Sequence, residues 1–140
     1  MNTPAEMLEY RVVQNGGFCQ ELYLLEGKCH RSDGPAAIVR GDDGAMIAEF
    51  WCQRGELHRP DGPAAIYFSK QSGAVEEERY FTHGRLWRED GPAIIRYRAK
   101  NAEGDAPVSS ATWWRDGEQL PMTLTRWLWL TDASQRKSNS

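Results

Sequence analysis

Three stretches of this 140-residue chain carry histidine or tryptophan, then arginine and aspartate, in a fixed order: His30-Arg31-Ser32-Asp33-Gly34-Pro35-Ala36, His58-Arg59-Pro60-Asp61-Gly62-Pro63-Ala64 and Trp87-Arg88-Glu89-Asp90-Gly91-Pro92-Ala93. Imidazole beside carboxylate is the raw material of general acid–base chemistry, and a guanidinium can hold an anion with fixed geometry. The spacing argues for a different use. Gly34, Gly62 and Gly91 follow one another at intervals of 28 and 29 residues, which marks a repeat architecture. Equivalent residues of successive repeats form a row, whereas an active site needs unlike groups converging on one point. In the third copy Trp87 replaces the histidine, as suits a packing position rather than a catalytic or metal-binding one. His83 stands outside the phrase, and neither a G-x-S-x-G, a phosphate loop nor an H-E-x-x-H motif occurs. The chain therefore reads as non-enzymatic, without catalytic residues, metal or cofactor.

The phrase needs elements to hold it. Leu8–Val13 reads as a strand, Asn15-Gly16-Gly17 as a hairpin turn and Phe18–Leu25 as the returning strand, ending at Gly27. After each phrase, proline opens a strand at the position where no backbone donor is required: Pro35–Arg40, Pro63–Phe68 and Pro92–Arg98. Asp42-Asp43-Gly44, Gln71-Ser72-Gly73 and a longer loop over Lys100–Pro107 turn the chain. Met46–Arg54, Ala74–His83 and Val108–Asp116 bring it back to Gly55, Gly84 and Gly117. Asp-Gly-Pro itself is turn chemistry: aspartate caps backbone donors, glycine accepts unusual φ and proline restarts an extended strand. The expectation is an all-β fold, an antiparallel meander of stacked β-hairpin repeats. Its units run over about 8–34, 35–62, 63–91 and 92–117, with a terminal cap at 118–131. Together residues 1–131 form a single domain, followed by a flexible polar tail at 132–140. In the cap, Met122–Leu130 is a last strand or a short helix, and its alternation leans to strand.

Large aromatics stand four residues before each closing glycine: Tyr23, Trp51, Tyr80 and Trp113. Six before stand Glu21, Glu49, Glu78 and Ala111. In the facing strands Ala36, Ala64 and Ala93 follow the proline, and Ile38, Ile66 and Ile95 lie two residues further on. Alternate strand residues share a face. The alanines and isoleucines are thus assigned to one face and the aromatics and glutamates to another, with the rings forming a ladder across hairpins. Arg31, Arg59 and Arg88 are expected to pair with Asp33, Asp61 and Asp90, or with Glu21, Glu49 and Glu78, of the same or the adjacent repeat. A single hairpin is too small to be stable, so neighbours must stack and both ends must be capped.

The formal net charge is -3 and the pI about 5.6. That balance counts against a phosphate-tracking nucleic-acid binder, although six tryptophans offer stacking surfaces to a single strand. No polybasic cluster or membrane span is present, and the first residues lack the pattern of a signal peptide. Cys19, Cys29 and Cys52, an odd set without a close C-x-x-C pair, read as reduced thiols of a cytoplasmic protein. Glu76-Glu77-Glu78 reads as a solvated strand edge that resists edge-to-edge pairing, or as part of a binding surface.

The Gly-x-Leu-His-Arg-x-Asp-Gly-Pro-Ala pattern, over about residues 20–117, resembles the short tandem repeats of many phage and bacterial proteins. More distantly it is similar to MORN repeats, which are also stacked hairpins. The period is longer than in MORN repeats and their closing Gly-x-Tyr-x-Gly pattern is absent. The resemblance implies a hairpin array of phage or bacterial origin, in the cytoplasm of a bacterial host if phage-encoded, and carries over no catalytic residue. The function expected is a protein-binding module, its partner unidentified, with Glu76, Glu77, Glu78, Arg79, Trp87 and Trp114 as candidate contacts. For a phage protein, charge complementarity extends this to an inhibitor of a host defence complex, of the anti-CRISPR kind. The alternatives are a structural or assembly protein that self-associates into a homo-oligomer through its edge strands, and a single-stranded nucleic-acid binder.

Overall fold

The protein is described from a computed structural model, over residues 7–99 and 107–134. It is an antiparallel meander that ends in one helix. The long strands are β1 (Glu9–Asn15), β2 (Phe18–Leu25), β4 (Ala37–Gly41), β5 (Met46–Phe50), β8 (Ala65–Phe68), β9 (Val75–Arg79), β12 (Ile94–Tyr97) and β13 (Val108–Thr112). They pair in that order into one sheet. Short strands stand between or after them: β3 (Lys28–Cys29), β6 (Cys52–Gln53), β7 (Glu56–Leu57), β10 (Phe81–Thr82), β11 (Arg85–Leu86), β14 (Trp114–Arg115) and β15 (Glu118–Gln119). Helix α1 spans Leu124–Ala133.

The first return strand, β2, runs through Tyr23 to Leu25 as the sequence suggested, whereas β5, β9 and β13 are shorter than expected because they break at the aromatic. Beyond Tyr23, Trp51, Tyr80 and Trp113 the chain enters a small hairpin, turning at Glu26-Gly27, Arg54-Gly55, His83-Gly84 and Asp116-Gly117. Both central residues have positive φ in all four, for example 50° and 87° at Arg54 and Gly55. That is the turn whose twist suits two short strands. The small hairpins form a second row. The glycine N–H of each donates to the preceding hairpin: Gly55 to the Cys29 carbonyl at 2.8 Å, Gly84 to Leu57 at 2.8 Å and Gly117 to Leu86 at 2.9 Å.

In the sheet, Ile38 pairs with both Glu21 and Glu49, and Ile66 with both Glu49 and Glu78. Residues directly opposite one another share a face. The isoleucines and glutamates therefore lie together, contrary to the two-face assignment. The same register sets each repeat alanine beside the aromatics on that face, where Ala36, Ala64 and Ala93 are fully buried. The hairpins β4–β5, β8–β9 and β12–β13 each carry a bulge at one equivalent place, after Val39, Tyr67 and Arg96.

The two sheet ends differ. Among the described residues, the outer edge of β1 has no strand beside it. At β13, helix α1 packs Trp129, Leu130 and Ala133 against Val108, Ala111 and Trp113. The terminal segment is thus helical despite its alternating pattern. Thr123 caps it, its side-chain oxygen accepting the Arg126 N–H at 3.2 Å. The helix also takes in Asp132 and Ala133, with Ser134 as its C-cap, which the sequence reading had assigned to a flexible tail; residues 135–140 of that tail and 100–106 of the loop lie outside the described residues.

Candidate functional site

The repeated phrase closes on a single residue. The Tyr23 carbonyl accepts the His30 N–H at 2.9 Å, while the Tyr23 N–H donates to the Ala36 carbonyl at 2.8 Å. Trp51 holds His58 and Ala64 in the same way, and Tyr80 holds Trp87 and Ala93. Each copy is a loop whose two ends meet on one aromatic. Its arginine then folds back over that ring: Arg31 lies 4.1 Å from the Tyr23 centroid, Arg59 3.7 Å from Trp51 and Arg88 4.0 Å from Tyr80. The other side of the guanidinium lies against glycine. A Cβ on Gly34, Gly62 or Gly91 would sit 2.9, 2.9 or 3.1 Å from the Cζ of its own arginine. None of the three has positive φ, so the phrase needs glycine for close approach and not for an unusual turn.

The guanidinium is spent inside its own unit. Its Nη1 donates to the Pro35, Pro63 or Pro92 carbonyl at 3.2 Å in all three copies. Arg31 and Arg59 also pair with Asp33 and Asp61 at 3.1 and 3.3 Å. Among the described residues Arg88 makes no such pair with Asp90, and none of the three arginines bridges to a glutamate. Nor do the rings of Tyr23, Trp51 and Tyr80 stack on one another; each is covered by its guanidinium, so the expected ladder is one of cation–π pairs. These contribute roughly 0.5–2 kcal/mol each, depending on desolvation.

The histidines join neighbouring units. Nδ1 of His30 accepts the Arg54 N–H at 2.9 Å, and Nδ1 of His58 accepts the His83 N–H at 3.0 Å. His58 also stacks on the His83 ring at 4.2 Å. Desolvation, then the neighbouring His83, push its pKa below 6.5. Trp87 has no acceptor to offer the next hairpin, where Arg85 instead pairs with Asp116 at 2.8 Å. Cys29 and Cys52 lie side by side in the first two small hairpins. The hydrogen bond between their thiols, ahead of burial, pushes Cys52 up and draws Cys29 down. Among the described residues no group of three or more His, Cys, Asp or Glu side chains could hold a metal ion.

The candidate contact residues do not assemble into one surface. Strand β9 lies between β8 and β12, so Glu76-Glu77-Glu78 is no sheet edge, and alternation sends Glu77 and Glu78 to opposite faces. Burial opposes charge on Glu77, but Arg96 at 2.5 Å and Arg79 at 2.6 Å outweigh it and hold its carboxyl below the usual range. Glu78 accepts the Tyr97 hydroxyl, and Glu76 is the extra residue of the bulge, exposed. Arg79 is engaged by Glu77 and lies 5.5 Å over Tyr67. Trp114 is half-buried and donates Nε1–H to Thr112 at 2.8 Å. Trp87 retains 37% exposure and stands next to Arg88, whose N–H donates to the Trp114 carbonyl.

The sequence reading missed the outward face of α1. Met122, Leu124, Trp127 and Leu128 are 54%, 73%, 53% and 53% exposed. Leu124, Trp127 and Leu128 stand at the i, i+3, i+4 spacing of one helix face. That spacing was present in the sequence, but it belongs to a helix that alternation had not favoured. No family model matches the chain, and neither a curated protein nor a solved structure matches it.

Proposed function

We propose that the chain is a non-enzymatic protein-binding module that engages its partner through the outward face of α1. One observation carries this reading. The polar chemistry of the repeats is consumed in closing their own loops, while Leu124, Trp127 and Leu128 stand in solvent on a helix fixed to the sheet by its other side. Large apolar residues clustered on a folded surface mark interaction sites, and tryptophan is a frequent anchor of binding energy. The fitting partner is a protein groove with apolar pockets that receive Leu124, Trp127 and Leu128, the mode in which amphipathic helices dock. A lipid surface fits less well. The ten residues of α1 include one Arg and one Asp, whereas helices that lie on anionic membranes carry a basic polar face. The acidic run lends no support to competition for a basic nucleic-acid site, because Glu77 and Glu78 are already engaged by side chains of this chain.

The test pairs capture with stability. Trp127→Glu and Leu124→Glu alter side chains that are mostly in water, so the melting temperature is expected to hold. A stoichiometric protein retained by the wild type is expected to be lost by both variants. Retention of that protein by the folded variants overturns the assignment to α1.

A further inference from the structure

We propose that two copies of the chain join edge to edge through β1, in antiparallel register about a two-fold axis, into one continuous sheet. This uses the end of the molecule opposite α1 and does not rest on the reading of that helix.

The backbone of β1 defines the site. The β1–β2 hairpin turns through two residues, Gly16 and Gly17, between the paired residues Asn15 and Phe18. In such a hairpin the flanking pair is hydrogen-bonded, and the bonding alternates along the strand. Asn15, Val13, Arg11 and Glu9 therefore bond inward to β2. Tyr10, Val12 and Gln14 point their N–H and C=O groups outward, to an edge with no strand beside it among the described residues. Sheet edges are commonly guarded by proline, lysine or brevity. This one is seven residues long and has neither proline nor lysine. Its outward-bonding residues are uncharged, and Tyr10 and Val12 are about half exposed, 51% and 49%.

Self-complementarity selects a second copy as the occupant. Outward groups can bond only to outward groups, which limits the registers. A dyad at Arg11 sets two guanidinium side chains opposite one another and is disfavoured. A dyad at Val12 engages all seven residues: Val12 faces Val12, Tyr10 faces Gln14, Arg11 faces Val13 and Glu9 faces Asn15. It opposes no like charges and makes about six backbone hydrogen bonds. A two-fold pairing uses the same edge, β1, on both copies, so it closes at two and does not propagate into a filament. One strand pair buries less than a standard interface, so the dimer depends on concentration.

Sedimentation equilibrium of the full chain tests this. The wild type is expected to pass from one to two chain masses with rising concentration. Val12→Pro removes an outward N–H without touching the β1–β2 ladder, and is expected to weaken the dimer by about tenfold or more. Hydrogen exchange on the wild type gives a second readout that needs no variant. The amides of Tyr10, Val12 and Gln14 are expected to gain protection as the dimer fills. A wild type that stays monomeric at every concentration, or grows beyond two chains, overturns the proposal. So does a dimer in which those three amides exchange freely. Trp127→Glu is expected to leave the dimer intact, which separates this interface from the one assigned to α1.

Discussion

The inner repeats and the C-terminal end solve the same packing problem with different chemistry. In the inner repeats, Tyr23, Trp51 and Tyr80 are covered by an arginine eight residues further along their own unit, with glycine pressed against its far side. At Trp113 the equivalent position is Pro121, and among the described residues no guanidinium lies over the ring. Trp129 covers Trp113 instead, edge to face at 5.5 Å, carried there by α1. The inner closure is local, so each unit brings its own cover. The terminal closure is made across the cap and depends on a helix that packs its apolar face on the sheet. An array of identical units has no next unit at its last position, and a different element must take over the missing contact.

That contrast can be broken at its terminal member first. Trp129→Ala opens the cluster of Val108, Ala111, Trp113 and Ala133 and is expected to cost about 2–4 kcal/mol in denaturant unfolding. Arg88→Ala removes one inner cover and is expected to cost about 1–2 kcal/mol. A larger loss from Arg88→Ala would reverse the comparison.

The inner closure can be sharpened through its glycine. Gly62→Ala drives a methyl into the Arg59 guanidinium and is expected to cost about 1–2 kcal/mol. In an Arg59→Ala background the same change is relieved of those three closest contacts and should cost less. A double-mutant cycle without coupling would mean that glycine serves some purpose other than close approach.

The smallest effect concerns acid. Neutral His58 accepts the His83 N–H through Nδ1, so its proton sits on Nε2, and protonation of Nδ1 removes the acceptor. Its folded pKa lies below 6.5. The contribution is therefore present above the unfolded value and is lost as pH falls through the folded one. The melting temperature should decline on acidification across that window, and less in His58→Trp, which copies the third repeat. An NMR titration placing His58 above 6.5 would contradict the seam described between these units.

Much of the fold is legible in the sequence because a period exposes equivalence directly. The hairpins, the order of strands, the aromatic positions and the need for a terminal cap all follow from the spacing of Gly34, Gly62 and Gly91. What was not legible depends on register or on distant contacts. Alternation within a strand fixes which of its residues share a face, but not which face of the next strand they join, and only the pairing of Ile38 with Glu21 and Glu49 decides that. The small hairpins were hidden because Glu26, Arg54 and His83 take positive φ, for which their residue types give little warning. The fate of Glu77 was invisible because Arg96, its partner across the sheet, lies 19 residues away in the chain. The sequence left the terminal segment open between strand and helix because threonine and tryptophan suit strands, while packing of Trp129, Leu130 and Ala133 decides for α1.

The closure of each phrase on one aromatic makes chain length a measure of distance. A further unit of the same design would insert two long strands between the ends, and neither β1 nor α1 would meet a new neighbour in its own contacts. With strands spaced about 4.8 Å apart, every such insertion moves the open edge and the exposed helix apart by a fixed step of about 10 Å. The number of repeats is thereby a ruler between two surfaces, adjustable by duplication or deletion without redesign of either one.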